Sequence, residues 1–127
     1  MIERFRVTEE LLEQHPNWIF VYGDNLRRVG CAGAAKLRHH PRAYGFITKK
    51  YPTNTEDAFY RVNEYQHVFE DELSKLLMHM TEHKSCIYVI SPIGSGLANK
   101  HGIWENIISP GLQQLKDVRN VIFTFDF

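Results

Sequence analysis

Four short apolar segments, separated by stretches with helical periodicity, constrain the fold of this chain more than any other feature of its sequence. The segments comprise residues 18–22, 43–48, 87–90 and 120–127. Short apolar runs that end at turn-forming residues are typical of buried strands. Because strands that alternate with helices form α/β domains, we expect an α/β fold with a largely parallel central sheet.

The stretches between these segments predict the helices. Residues 7–16 have a helical pattern that Pro16 ends, residues 32–40 are good helix formers, and residues 103–115 are expected to form a helix that bends at Pro110. Between Asp57 and His83 the apolar residues recur at helical spacing and are expected to face the core. These residues are Tyr65, Val68, Phe69, Leu73, Leu76, Leu77 and Met80.

Two boundaries are also predicted by local patterns. The turn "GDN" at residues 23–25 is expected to end the first strand. Thr53 and Glu56 have the spacing of a capping box, so a helix is expected to begin near Asn54.

Length and composition indicate one ordinary globular domain spanning residues 1–127. The chain has zero formal net charge, which gives no reason to expect a nucleic-acid-binding or membrane protein. We expect no signal peptide and no membrane span, because no apolar run approaches about 20 residues. Cys31 and Cys86 are too few for a disulfide scaffold, so we expect free thiols and a cytoplasmic location.

The charges are unevenly distributed along the chain. No Asp or Glu lies between Asn25 and Thr55. The same window contains Arg27, Arg28, Lys36, Arg38, Arg42, Lys49 and Lys50. Two interpretations remain open: a chance basic face, or a field that attracts a small anion such as a phosphate ester.

Two loops rich in small residues follow the first and third predicted strands. They run from Gly23 to Ala35 and from Pro92 to Gly102. Ligands of parallel sheets bind beyond the carboxyl ends of the strands, and unpaired N–H groups at a helix start bind anions. Together the loops are suited to hold a diphosphate. Taken singly, each is better explained as a tight βα turn, and neither matches a standard nucleotide-binding motif.

Three sequence segments resemble those of macrodomains. "VYGDNLRRVGCAGAA" resembles their first ligand loop, and "ISPIGSGLANKHGIWENI" resembles their phosphate-binding loop and the helix behind it. "ITKK" at residues 47–50 resembles the lysine-bearing segment of the branch that contains terminal ADP-ribose protein glycohydrolases and DNA ADP-ribosyl glycohydrolase antitoxins. The resemblance covers about a third of the chain. It implies a three-layer α/β/α macrodomain-like fold with a largely parallel central sheet.

The resemblance also implies roles for individual residues. Lys49 matches the lysine that attacks the anomeric carbon of the distal ribose, and Asn25 matches a residue that faces this ribose. Trp104 would pack the helix behind the phosphate loop. The implied ligand-binding residues are Asn25, Gly30, Cys31, Ala32, Gly33, Ala34, Ile93, Gly94, Ser95, Gly96, Leu97 and Asn99.

The chain departs from the macrodomain pattern at two places. Some members of the branch have an acidic residue where Ala98 and Asn99 stand, so Asp24 is the substitute candidate for a general acid or base. Macrodomains also have a strand upstream of the first loop, whereas the residues before Trp18 look helical. His79 and His83 have the spacing of metal ligands but no third ligand accompanies them, so no metal and no cofactor are expected.

The resulting expectation is a monomeric, cytoplasmic protein that binds ADP-ribose, or ADP-ribosylated protein or nucleic acid, and hydrolyses an ADP-ribosyl linkage through Lys49. One alternative is a non-catalytic module that binds or sequesters ADP-ribose or a related nucleotide. Another is a small α/β protein whose loops contact a partner protein.

Overall fold

The structure, a computed structural model, describes residues 1–127 with the exception of the side chain of Ala34. The strands are β1 (Trp18–Asn25), β2 (Ala43–Lys49), β3 (Ile87–Ile90) and β4 (Val121–Phe123). The α-helices are α1 (Glu9–Gln14), α2 (Val62–Glu82) and α3 (Ser109–Leu112). Short 3₁₀ turns cover Gly33–Leu37, Glu56–Ala58, Leu97–Asn99 and Gln113–Leu115, and a π-helical turn covers Trp104–Ile108.

The strands form one sheet in the order β2-β1-β3-β4, and each neighbouring pair is parallel. The predicted α/β class and parallel sheet are therefore confirmed. A parallel bridge also joins Ile2 to Phe123, so the segment before α1 runs beside β4. The sequence had indicated only a helix in this region.

Both faces of the sheet are covered by apolar side chains. From β1, Ile19 and Val21 join a large core cluster that includes residues of α2, α3 and the π-helical turn. Trp18, Phe20 and Tyr22 point to the other face, where they form a smaller cluster with residues of α1 and the first 3₁₀ turn. This alternation explains why β1 reads as a continuous apolar run, since a parallel strand is buried on both sides.

Helix α2 packs against the sheet through a stripe that the sequence predicted in part. Tyr65, Phe69, Leu76 and Met80 are buried as expected, but Leu77 is 41% exposed and lies outside the stripe. Helical residues spaced by three or four positions share a face, whereas Leu77 lies one position after Leu76 and is rotated by about 100° towards solvent.

Two predictions near the carboxyl edge of the sheet are wrong. The "GDN" turn does not end β1, which continues to Asn25. The expected helix at residues 32–40 is only the 3₁₀ turn Gly33–Leu37. Gly33 has a φ of 57°, which is incompatible with a right-handed α-helix that runs through this residue.

The two later helix predictions also need correction. No helix starts near Asn54; α2 begins at Val62, where the carboxylate of Glu64 accepts a hydrogen bond from the Arg61 backbone N–H at 3.0 Å. The expected helix at 103–115 is divided into π, α and 3₁₀ turns. Pro110 has no N–H to continue the α-helical pattern, and the preceding Ser109 N–H bonds to the carbonyl of Trp104.

Candidate functional site

A cavity of about 480 Å³ lies at the carboxyl ends of the strands, between the two glycine-rich loops and the end of β2. It brings together most of the residues that the sequence predicted as a site. These are Asp24, Asn25, Gly30, Ala32, Gly33, Lys49, Ile93, Gly94, Ser95, Gly96 and Leu97. The convergence of both loops on one cavity follows from the parallel pairing of β1 with β3.

Three of the predicted ligand-binding residues are not placed in this lining. Cys31 is exposed and is not one of the described residues that line the cavity, although its neighbours Gly30 and Ala32 do line it. The side chain of Asn99 accepts a hydrogen bond from the Trp104 N–H and donates one to Glu105, both at 2.8 Å. Asn99 thus serves to cap the π-helical turn. The side chain of Ala34 lies outside the described part of the chain.

The loop after β3 turns sharply at Gly94. The Ser95 N–H donates to the carbonyl of Pro92 at 3.1 Å, and Gly94 has a φ of 76°, as in a type II turn. A Cβ at Gly94 would lie 2.4 Å from Cδ1 of Ile108, so only glycine fits. The N–H groups of Gly94 and Gly96 bond to no acceptor among the described residues, which leaves them available to a ligand.

The loop after β1 is shaped by Asn25. Its side-chain oxygen accepts a hydrogen bond from the Arg27 N–H at 3.0 Å, and its side-chain nitrogen donates to the carbonyl of Val29 at 2.8 Å. The amide is buried, so its first function is to hold the loop together. A contact between Asn25 and a ribose stays a prediction.

Asp24 is surrounded by cations. One carboxylate oxygen lies 2.7 Å from Arg38, and the other lies 3.1 Å from Arg28. The side chain is only 1% exposed, and it also accepts a hydrogen bond from the Asn25 N–H. Both oxygens are therefore engaged in contacts that hold the protein together, and neither is left without a partner to act on a ligand.

Lys49 reaches the cavity because of an irregularity in β2. Asp24 pairs with Ile47 whereas Asn25 pairs with Lys49, which leaves Thr48 as an extra residue on β2. The ammonium of Lys49 donates to the carbonyl of Thr53 at 2.7 Å and lies 5.0 Å from the centre of the Phe59 ring. Partial burial lowers the pKa of this ammonium, because desolvation disfavours the charged form.

Lys50 has a different environment from its neighbour. Its ammonium forms an ion pair with Glu64 at 2.7 Å, and it does not contribute to the described lining of the cavity. The two adjacent lysines of "ITKK" therefore have separate functions. Of the two lysines, only Lys49 lines the cavity.

The segment "KHG" after the second loop has a structural partner that the sequence did not reveal. Lys100 and His101 contact the carboxylate of Glu56 at 2.6 and 2.7 Å. These contacts fasten the loop after β3 to the segment that follows Lys49. Hydrogen bonds from Lys100 and then His101 lower the pKa of Glu56.

Several lining residues were missed by the sequence analysis. They include Val29, Arg38, Thr48, Pro52, Asn54, Ser91 and Pro92. Thr48 is 3% exposed and packs against the Gly94 backbone, so a Cβ at Gly94 would lie 3.3 Å from its methyl group. In the sequence, its position beside Lys49 was the only indication that Thr48 could line the cavity. Nothing local in the sequence connects Arg38 to the loop that it contacts.

A second cavity, of about 430 Å³, lies beside the first and shares Gly33, Ser91 and Pro92 with it. Most of its remaining lining is apolar or basic. It consists of Phe5, Arg6, Val7, Phe20, Lys36, Leu37 and Thr124. The segment before α1 contributes three of these residues, and it was not expected to take part in a site.

The described residues also bear on metal binding and on membrane insertion. Within them, no three His, Cys, Asp or Glu side chains group as metal ligands. His79 and His83 stack on each other at 4.2 Å, and His79 bonds to the hydroxyl of Tyr88 at 2.5 Å. None of the described helices combines the length and the apolar character needed to cross a membrane.

Comparison with known proteins identifies the family of the chain but not its activity. Residues 2–101 match a family model described as a family of unknown function (DUF7831), and the chain belongs to this family. The matched region includes both glycine-rich loops, Lys49 and the segment before α1. No curated protein and no solved structure gives a match.

Proposed function

We propose that this protein binds ADP-ribose or a closely related nucleotide, free or attached to protein or nucleic acid. The observation that carries the proposal is the meeting of two glycine-rich loops at one cavity, with the Gly94 and Gly96 N–H groups lacking an acceptor among the described residues. Successive backbone N–H groups that converge on a concavity bind phosphate oxygens. The diphosphate would lie between the loops.

The charge of the surroundings supports an anionic ligand. The only acidic side chain in the described lining is Asp24, and its charge is compensated by Arg28 and Arg38. The ammonium of Lys49 adds a further positive charge at the cavity wall. A cavity of this kind attracts a phosphate ester, whereas it would repel a cation.

The second cavity supports a ligand with two halves. A nucleobase requires a mostly apolar slot with a few polar groups, and Phe5, Phe20 and Leu37 supply apolar surface beside Arg6. Because the cavities share a wall, a ligand with phosphates in the first can place its base in the second. We therefore assign the base to the second cavity.

A macrodomain-like, three-layer arrangement is part of the proposal. It is supported by the helical elements on both faces of the parallel sheet and by the two loops at its carboxyl edge. The bridge between Ile2 and Phe123 adds strand-like pairing before the first loop, where macrodomains have a strand. The same single domain would span residues 1–127.

For an enzyme, Lys49 would be the nucleophile. Its neutral amine would attack the anomeric carbon of the distal ribose, and the acceptor would leave with the bonding electron pair and a proton. The sugar ring would then open to an imine with Lys49. Addition of water to the imine carbon would release ADP-ribose and return the amine. The lowered pKa of Lys49 favours the first step.

The non-catalytic binding module remains the second candidate, and two observations favour it. Asp24 is committed to Arg28 and Arg38, and Ala98 occupies the position where some macrodomains of the lysine-bearing branch have an acid. No other carboxylate belongs to the described lining. A site without a proton donor would bind its ligand and cleave it slowly or not at all.

Calorimetry followed by release assays tests the proposal. ADP-ribose should bind with one site per chain, and AMP should bind more weakly. Release of ADP-ribose from modified protein or DNA would establish the enzyme, and binding without release would establish the module. Absence of binding to ADP-ribose at millimolar concentration would contradict both.

A further inference from the structure

Arg38 has an unusual number of contacts with the loop after β1. Its Nε donates to the carbonyl of Gly30 at 2.9 Å, and its Nη2 donates to the carbonyl of Val29 at 3.0 Å. Its Nη1 lies 2.7 Å from the Asp24 carboxylate. A guanidinium has five N–H donors, and these contacts occupy most of them. Arg38 is thus committed to the protein, although it lines the cavity.

The contacts of Arg38 fix the direction of two peptide groups. A trans peptide is planar, so its C=O and the following N–H point in opposite directions. Holding the carbonyls of Val29 and Gly30 therefore turns the N–H groups of Gly30 and Cys31 away from the guanidinium. Neither N–H bonds to an acceptor among the described residues.

The anchor of Arg38 is itself rigid. Asp24 belongs to β1 and is also paired with Arg28, which donates to the carbonyl of Gly45 in β2 at 2.8 Å. The space around this pair is closed, since a Cβ at Gly45 would lie 2.4 Å from the Asp24 carboxylate. The guanidinium of Arg38 also covers the Tyr22 ring at 5.5 Å. The loop is therefore fastened to two strands of the sheet.

We propose that Arg38 is a positioning residue: together with Asp24, it orients the N–H groups of Gly30 and Cys31 so that they bind phosphate oxygens of the ligand. The inference rests on the proposed function and deepens it. It also gives the buried Asp24 a function in an anion site. Asp24 holds the arginine that shapes the loop, rather than transferring a proton.

Amide NMR of the whole chain tests this inference with pyrophosphate and ADP-ribose as probes. In the wild-type protein, the amides of Gly30 and Cys31 in the first loop and of Gly94 and Gly96 in the second should shift on titration. In Arg38→Met, the shift at Cys31 should be lost and that at Gly30 reduced, because Asn25 also holds the Val29 carbonyl, while the shifts in the second loop persist. Affinity for pyrophosphate should fall by about tenfold or more, since bonds from oriented donors to a charged group are lost.

Two further variants test whether the lost charge or a folding defect explains the result. Arg27→Met removes the same charge from the same loop, but the Arg27 side chain lies over Tyr51. It should keep all four amide shifts. Arg38→Lys retains a cation for Asp24 and protects folding, yet one ammonium cannot reproduce the fork that holds both carbonyls. It should also lose the shift at Cys31 and show a reduced shift at Gly30.

The outcomes separate this inference from the proposed function. Undiminished shifts of Gly30 and Cys31 in both Arg38 variants would overturn the positioning role alone. Wild-type shifts confined to Gly94 and Gly96 would also overturn it and leave the proposed function standing. No shift in either loop with either probe would overturn the proposed function and this inference with it.

Discussion

The buried carboxylate of Glu72 accepts a hydrogen bond from the backbone N–H of Ile47 at 2.6 Å. Ile47 lies in β2, at the edge of the sheet, and its carbonyl accepts a hydrogen bond from the hydroxyl of Tyr65. Helix α2 thus satisfies the backbone of an edge strand that would otherwise be unpaired. This pairing fixes the end of β2 just before Lys49.

Replacement of Glu72 should therefore destabilise the protein. Glu72→Ala leaves the Ile47 N–H buried without a partner, which costs about 1–3 kcal/mol of unfolding free energy. Urea denaturation measures this loss. Glu72→Gln keeps an acceptor and should lose less, and Glu70→Ala, on the exposed side of the same helix, should change little. Equal effects of Glu72→Ala and Glu70→Ala would contradict the role of the hydrogen bond.

Gly96→Asp should abolish ligand binding without unfolding the protein. No atom lies within 4 Å of the position of a Cβ at Gly96, so an added side chain has room. The added carboxylate would repel the phosphates. Gly96→Asn has nearly the same shape without the charge, so it is the matched control and should bind at least about tenfold more tightly than Gly96→Asp. If calorimetry gave Gly96→Asp and Gly96→Asn affinities within twofold of each other, the phosphates would not lie beside this loop. Gly33→Asp should also abolish binding, but the positive φ of Gly33 makes that variant harder to interpret.

In the proposed enzyme, Lys49→Ala should remove turnover and leave ADP-ribose affinity within a few fold, because the proposed phosphate contacts come from backbone groups. Borohydride should trap the wild-type protein to ADP-ribose and fail with the variant. Lys50→Ala is the control, since the Lys50 ammonium pairs with Glu64 away from the cavity. Trapping of the Lys49 variant at the wild-type level would assign the nucleophile to another residue.

The reactivity of Lys49 should rise at a lower pH than that of an ordinary lysine. Burial lowers its pKa from the usual 10.5, so its neutral form gains population earlier as the pH increases. Acetylation of the ligand-free protein across a pH series, read by mass spectrometry, measures the midpoint. A midpoint at or above 10.5 would show that the side chain is fully solvated.

Phe5→Ala should weaken ADP-ribose binding selectively. The ring of Phe5 lines the second cavity and packs 5.8 Å from the ring of Trp18. Removing it takes away apolar surface from the proposed base slot, which should cost about 1 kcal/mol or more. Pyrophosphate affinity should stay unchanged. Equal losses for both ligands, measured by calorimetry, would show that Phe5 acts through the fold and not through the base.

The sequence predicted those features that depend on local patterns. Apolar runs identified the strands, and their alternation with helical segments identified the parallel sheet. The two glycine loops could be brought together in advance because parallel strands end at the same edge. In the sequence, only the resemblance to macrodomains distinguished Lys49 from Lys50. The structure adds a physical difference, because the Lys50 ammonium pairs with Glu64.

Long-range side-chain contacts could not be predicted in the same way. Arg38 reaches Tyr22 across 16 positions of the chain, and Glu72 reaches Ile47 across 25. A charged residue in a helical stripe reads as solvent-facing unless its buried partner is known. The second cavity depends on the path of the segment around Phe5 beside β4, which no periodicity indicates.

The wall between the two cavities determines how a ligand of this kind would be selected. The hydroxyl of Ser91 donates to the carbonyl of Val21 at 2.9 Å, which fastens the wall to the sheet. Once one end of a two-part ligand has bound, the fixed wall presents the other end to its cavity at a high effective concentration. Fragments such as AMP or ribose phosphate would lack this advantage and compete poorly. Discrimination between a whole two-part nucleotide and its fragments would thus come from the spacing of the two rigid cavities.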